Sequence, residues 1–263
     1  MFEYDFMRNA FGAATLVALV AGCVGYFLVL RAQTFAGHAL AHVGFAGATG
    51  AVLVGISPLW GMLLVTVAAG AGMGLLGERL EGRDVAIGIV LAVALALGLL
   101  FLHFYTSYAA QATALLFGNL LAVDRGTLAV LALLSAASLA ALALLSRPLL
   151  FATLQPELAE AKGVSLRLVS VLFLMVVAVV TAESAQIVGV LLVFGLMIAP
   201  AAAAQRLCRT LQAGVLGSAL FALLDAWLGL TAAYYTDWPS SFCIVAVGAL
   251  TYLAAVLGAP RRS

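Results

Sequence analysis

Charge is what this sequence has least of. Only 9% of its 263 residues are Asp, Glu, Lys or Arg, 12 basic against 11 acidic, for a formal net charge of +1. A soluble domain carries about 25%, so a soluble globular body is excluded. With no basic cluster, a nucleic-acid partner is excluded too. Lysine occurs once, as Lys162 in EAKGVS, without the glycine-rich turn of a G-x-x-x-x-G-K-[ST] phosphate loop. HExxH, the zinc-protease signature, is also absent. The expectation is therefore a non-enzyme, and if ATP drives it, another chain hydrolyses that ATP. Three cysteines, Cys23, Cys208 and Cys243, make no disulfide framework. The N-terminus has no basic region of the secretory-signal kind; Glu3 and Asp5 precede its first apolar run, which reads as a retained helix.

What is abundant is apolar surface: 65% of residues are hydrophobic and the mean hydropathy is +1.20. A helix crosses the hydrocarbon core in about 20 residues, and apolar runs of that length recur from Phe11 to Gly258. The fold class expected is an all-α polytopic membrane protein, one transmembrane domain over 1–263. Nine spans are placed at 11–30, 34–54, 59–77, 85–102, 127–145, 166–182, 186–203, 212–231 and 241–258. The TAESAQ stretch serves as the break between the sixth and seventh. With the N-terminus outside and the C-terminus inside, only Arg8 and Arg125 of the 12 basic residues fall on the outer side, as the positive-inside rule requires. That count holds if 103–126 is an outer-side excursion rather than a further span. Small residues four apart, Gly70 and Gly74 or Gly44 and Ala48, let helix backbones approach.

Ionisable residues inside a bilayer are costly and are functional candidates by default. Four remain once loops and ends are set aside: His38, His42, Glu183 and Asp225. The two histidines, in HALAH, are four apart and so share one helix face. Rising ~1.5 Å per residue from Arg31, they lie about 10 and 16 Å deep, near the midplane. Two imidazoles one turn apart form the geometry of a metal chelate, suited to zinc and its first-row neighbours. The competing reading is a pair of core histidines, each hydrogen-bonded to a neighbour. Glu183, in TAESAQ, is expected at a turn as a hydrated interfacial carboxylate. Asp225 has three readings: a third metal ligand, a partner for a histidine N–H, or a helix-packing hydrogen bond. His103 and Asp237 belong to the outer side, as solvated residues or an entrance.

The inner segment 147–166 carries a helix-start signature. Pro156 suits a first helical position, Glu157 and Glu160 sit near the positive end of the dipole, and Lys162 and Gly163 close the helix. Such a helix either docks into a partner or simply connects two spans.

Four stretches together resemble the permease subunits of bacterial ATP-binding-cassette importers for zinc, manganese and iron. HALAH with VGFAGA looks like the family's D-A-L-S-H-A-x-x-x-G, and LLFGNLLAV like its L-F-G-x-I-L-x-V. LQPELAEAKGV is similar to its F-D-P-E-x-A-x-x-x-G-I, and QIVGVLLVFGLMIAPAAAA to its V-G-x-L-L-V-x-x-L-L-x-x-P-A-A-x-A. YYTDWPSSFCIVAV is also similar to the family's S-Y-x-x-D-x-P-x-G-P-x-I-V-L, with Ser240 and Phe242 replacing its small residue and its proline.

The resemblance implies a homodimer in the bacterial inner membrane, resting on two cytoplasmic ATPases and supplied by an external metal-binding protein. No permanent cofactor is implied; the metal is the cargo. The resemblance makes Gln155, Pro156, Glu157, Leu158 and Ala159, with Lys162 and Gly163, the element coupled to the ATPase. The family's metal-contacting aspartate and histidine fall on His38 and His42, so an imidazole replaces the aspartate. That softer, less negative donor set shifts the expected cargo toward zinc, with manganese and iron as alternatives, and Asp225 as a replacement for the missing charge. An ion-coupled secondary transporter using Asp225 and Glu183 is a competing class. A haem protein is disfavoured, since axial ligands face one another from separate helices.

Overall fold

A computed structural model of the chain describes residues 4–77, 82–105, 118, 120 and 123–258, apart from the side chain of Leu191. The described residues form helices and connections, without strands. The helices are α1 (Asp5–Leu30), α2 (Thr34–Leu53), α3 (Pro58–Leu75), α4 (Arg83–His103), α5 (Arg125–Leu154), α6 (Pro156–Ala161), α7 (Leu166–Val188), α8 (Val190–Leu207), α9 (Leu211–Thr236) and α10 (Ser240–Gly258). Arg79, Arg261, Arg262 and most of the segment 103–126, including most of LLFGNLLAV, lie outside the described residues.

Each of the nine apolar windows coincides with one long helix. Seven are long and apolar enough to cross a membrane: α1, α3, α4, α5, α7, α9 and α10. Of the other two, α2 is made less apolar by its two histidines and four glycines, and α8 is apolar over its described stretch Leu192–Leu207.

Burial grades the bundle. In α1 and α7 about two thirds or more of the apolar window is buried, 67% and 72%, whereas α4, α5 and α10 bury only 22%. α1 and α7 therefore form the centre, and α4, α5 and α10 leave most of their length unburied. α2 packs on α3, α4, α7 and α8, while α8, α9 and α10 pack on one another with α1 alongside α8 and α9. The α3–α7 seam is as tight as the glycine spacing predicts. A Cβ on Gly70 would stand 2.7 Å from the Leu174 carbonyl oxygen, and one on Gly74 2.5 Å from the Val171 Cα.

Arg31, at the end of α1, is buried, with 8% of its surface exposed. Its Nη1 donates to the Leu149 carbonyl at 3.3 Å and the Thr153 hydroxyl at 2.8 Å, and its guanidinium lies 5.7 Å from the Phe173 ring centre. A residue read as an inner-surface charge is thus the clasp joining the α1–α2 turn to α5 and α7.

Two boundaries differ from expectation. The break expected at TAESAQ falls instead at Gly189, where the chain turns with φ 88° and ψ 154° between α7 and α8. Helix propensities of Thr, Glu, Ser and Gln differ from Ala by fractions of a kcal/mol, too little to stop a packed helix. Only glycine takes that positive φ without strain. Gly118 approaches the same point so closely that its Cβ would stand 2.4 Å from the Gly189 nitrogen. The second difference is at Pro148, which sits inside α5, so the first eight residues of the segment 147–166 are helical. Its ring removes one N–H and clashes with a preceding carbonyl, and the Ser146 hydroxyl bonds the Ala143 carbonyl just ahead, at 2.7 Å.

Candidate functional site

His38 and His42 lie on α2, one turn apart, both half-buried. Their ring centres are 4.8 Å apart with planes at 86°, and the His38 ring also meets Phe194 of α8, centre to centre at 4.7 Å. Between them Ala39, Leu40 and Ala41 are buried against the bundle, so the helix is anchored by its small and aliphatic face while the imidazoles share another. The Nδ1 atoms of both rings are buried with no hydrogen-bond partner among the described residues. A core histidine is normally satisfied on its buried nitrogen; these two are not. A neutral imidazole has one nitrogen lone pair free to bind a metal, and this arrangement supplies two such rings from one rigid helix.

Asp225 stands elsewhere. It is 1% exposed on α9; Oδ1 accepts from the Thr251 hydroxyl of α10 at 2.5 Å. Gly248 passes so near that a Cβ there would be 3.3 Å from Oδ2. The helix-packing hydrogen bond, one of its three readings, is therefore present. Among the described residues no three of His, Cys, Asp and Glu gather where they could hold one ion, so within a single chain Asp225 does not join the histidine pair.

Glu183 is the clearest correction. It is neither at a turn nor hydrated: it sits inside α7 with 0% exposure. Oε1 accepts from the Ser135 hydroxyl of α5 at 3.3 Å, and Oε2 has no partner. Ser135, itself buried, escaped notice in the sequence because a serine on a lipid-length helix carries no pattern. The signal for Glu183 was present, since Gly189 six residues on is the stronger helix breaker.

The outer candidates are separate. His103 ends α4 in an exposed position beside Phe104. Asp237 is the exposed C-cap of α9, in the left-handed region at φ 56°. It opens on a cavity of about 560 Å³ lined also by Phe6, Met7 and Trp238.

The short α6 is fully specified by its ends. Pro156 starts it, Lys162 caps it and Gly163 takes φ 83°. The Gly163 N–H bonds the Glu160 carbonyl and the Val164 N–H the Ala159 carbonyl, each at 2.9 Å, the paired closure of a Schellman cap. Ala159 is buried while Gln155, Glu157, Leu158 and Lys162 are exposed, with Leu158 at 45%. One side is thus fixed to the bundle and the other presents an apolar residue among charges. The Lys162 ammonium reaches back over the Phe151 ring at 5.9 Å.

Residues 3–259 match the family described as the ABC 3 transport family. The manganese transport system membrane protein MntC of Halalkalibacterium halodurans is 29% identical over 263 residues, covering 100% of this chain and 90% of that protein. The probable metal transport system membrane protein of Treponema pallidum is 34% identical over 258 residues, with 98% and 94% covered. Among solved structures, PsaBC from Streptococcus pneumoniae in complex with Fab superposes with a TM-score of 0.87 at 27% identity, covering 98% of this chain and 93% of that one.

Proposed function

Because the chain belongs to the ABC 3 transport family, we propose that it is the membrane permease subunit of an ATP-driven importer whose cargo is a divalent first-row metal ion. Three names support the cargo class: MntC and ScaB relatives are named for manganese, and the Treponema pallidum relative for metal. The observation that carries the reading on this chain is the HALAH pair, two imidazoles on one helix face with buried Nδ1 atoms unsatisfied.

In this reading all nine long helices cross the inner membrane of a bacterium, N-terminus outside and C-terminus inside. α2 crosses although its histidines lower its hydropathy, because that cost is what places ligands at mid-depth. Two copies form the path, and α6, through Gln155 to Ala159 with Lys162 and Gly163, receives the push of a cytoplasmic ATPase. An external binding protein delivers the ion, with His103 and Asp237 near the entrance, and the ion passes His38 and His42 as the path opens alternately to each side. A transport site has to release what it binds. Two rings per copy, short of a closed tetrahedron, meet that need.

The metal is decided by donor chemistry. Imidazole nitrogen binds zinc above manganese, so we assign zinc as the preferred ion of the HALAH site. The names of the relatives favour a second reading, manganese, in which the delivering protein overrides the site's own preference. The test is to copurify the tagged chain with its ATPase and measure hydrolysis stimulated by each metal in proteoliposomes. Zinc stimulation supports the assignment, manganese-only stimulation replaces it, and the absence of any copurifying ATPase refutes the importer reading.

A further inference from the structure

We infer that a groove between α1, α5 and α9 holds the acyl chain of an anionic phospholipid, with the phosphate bound by Arg147 and Arg209. α5 and α9 both pack on α1 and leave between them a groove of about 450 Å³, floored by Cys23 and Phe27 and walled by Leu142 and Val215 among others. Its α5 wall runs from Leu139 to Ser146, a rise of about 10 Å, against roughly 15 Å for one leaflet of hydrocarbon. The lining is aliphatic and aromatic except at one end, where Ser146 and Gln212 stand.

That end is also where the charge lies. Arg147 follows Ser146 in the chain and Arg209 stands two residues before Leu211, another lining residue. Both arginines are exposed, and among the described residues no carboxylate pairs with either. A guanidinium fork matches a phosphate in shape and charge. An apolar groove about two thirds of a leaflet deep, ending at two unneutralised arginines, has the complement of a single-phosphate lipid, apolar along its length and negative at its head. A zwitterionic lipid brings a cation to the same place and gains less. The leaflet assignment rests on the proposed orientation, which puts this end at the cytoplasmic surface; the binding itself does not.

The test uses the full chain in detergent without metal or nucleotide, titrated with phosphatidylglycerol and with phosphatidylcholine of the same acyl length and read by native mass spectrometry. Two arginines at ~1 kcal/mol each give about a thirtyfold preference for phosphatidylglycerol. Arg147→Gln with Arg209→Gln erases that preference while phosphatidylcholine binding stays, and Ala143→Trp, in the groove wall, weakens both lipids. Equal binding of the two lipids by the wild type, a preference that survives loss of both arginines, or a groove closed to lipid by a second copy each overturns the inference. Because no transport step is read, failure of the importer reading leaves this result standing, and the reverse holds as well.

Discussion

Glu183→Gln asks what a carboxyl with one hydrogen bond does at the centre of the bundle. The side chain has 0% exposure, and its single partner is Ser135 at 3.3 Å. An ionised carboxylate buried there would forfeit several kcal/mol of hydration, more than the ~1.5–3 kcal/mol that one hydrogen bond to a charged group returns, so the carboxyl is held as the neutral acid. Glutamine keeps the shape and the oxygen that accepts from Ser135. Its amide nitrogen takes the place of the Oε2 that already has no partner, so one unsatisfied polar group, costing about 1–3 kcal/mol, replaces another. The expected change is within about 1 kcal/mol, at most roughly fivefold in lifetime if the unfolding barrier takes all of it. The assay is the half-life of the folded chain in detergent at one elevated temperature and pH 7, with monodispersity as the signal. Glu183→Ala should shorten the half-life, since it opens a cavity and strands the Ser135 hydroxyl. A glutamine variant shorter-lived than wild type by about tenfold or more would show that the carboxylate is ionised beside a charged partner, and the reasoning would be wrong.

His38→Asp exchanges an imidazole for a hard oxygen donor and should raise manganese-stimulated relative to zinc-stimulated hydrolysis in the reconstituted complex; an unchanged ratio removes His38 as the selectivity determinant. Gly163→Val places a β-branched side chain at φ 83°, costing about 1–2 kcal/mol and loosening the cap of α6. Insertion into the membrane should persist while metal moved per ATP falls, and unchanged coupling would show that α6 merely connects. Asp124, the exposed N-cap of α5, accepts the Thr127 N–H at 2.9 Å. Hydrogen bonds from the Thr127 side chain and backbone hold its carboxyl below the ordinary value of 3.8. The depressed folded-state pKa means its contribution is complete above that value and fades as pH falls through the folded pKa. Asp124→Ala should therefore lower the Tm at neutral pH, with the difference closing in acid; a difference independent of pH would assign the effect to something other than the carboxylate.

Hydropathy made the bundle legible because each window sums about 20 side chains, so a few polar residues do not hide a span. What a window cannot resolve is where a helix ends. TAESAQ outweighed Gly189 as a polarity signal, although backbone geometry, not polarity, makes the break. The fifth window likewise ends at residue 145, yet α5 runs on through Pro148 to Leu154. Within the site, the spacing of His38 and His42 alone placed them on one face, and the rings do meet. Phe194, which meets the His38 ring, lies more than 150 residues away in the chain. The partners of Asp225 and Glu183, Thr251 and Ser135, are contacts between helices that no local pattern encodes. The isolation of Asp225 from the histidines is a fact of helix arrangement, which periodicity leaves open.

The most direct test of the central claim is uptake of radiolabelled zinc by proteoliposomes holding the permease with its ATPase and binding protein, comparing wild type with His42→Ala. His42 is half-buried and makes no described hydrogen bond, so the variant should fold and assemble with wild-type yield while uptake falls by at least tenfold. A correctly assembled His42→Ala complex that carries zinc at the wild-type rate would contradict the claim that the ion passes through this histidine pair.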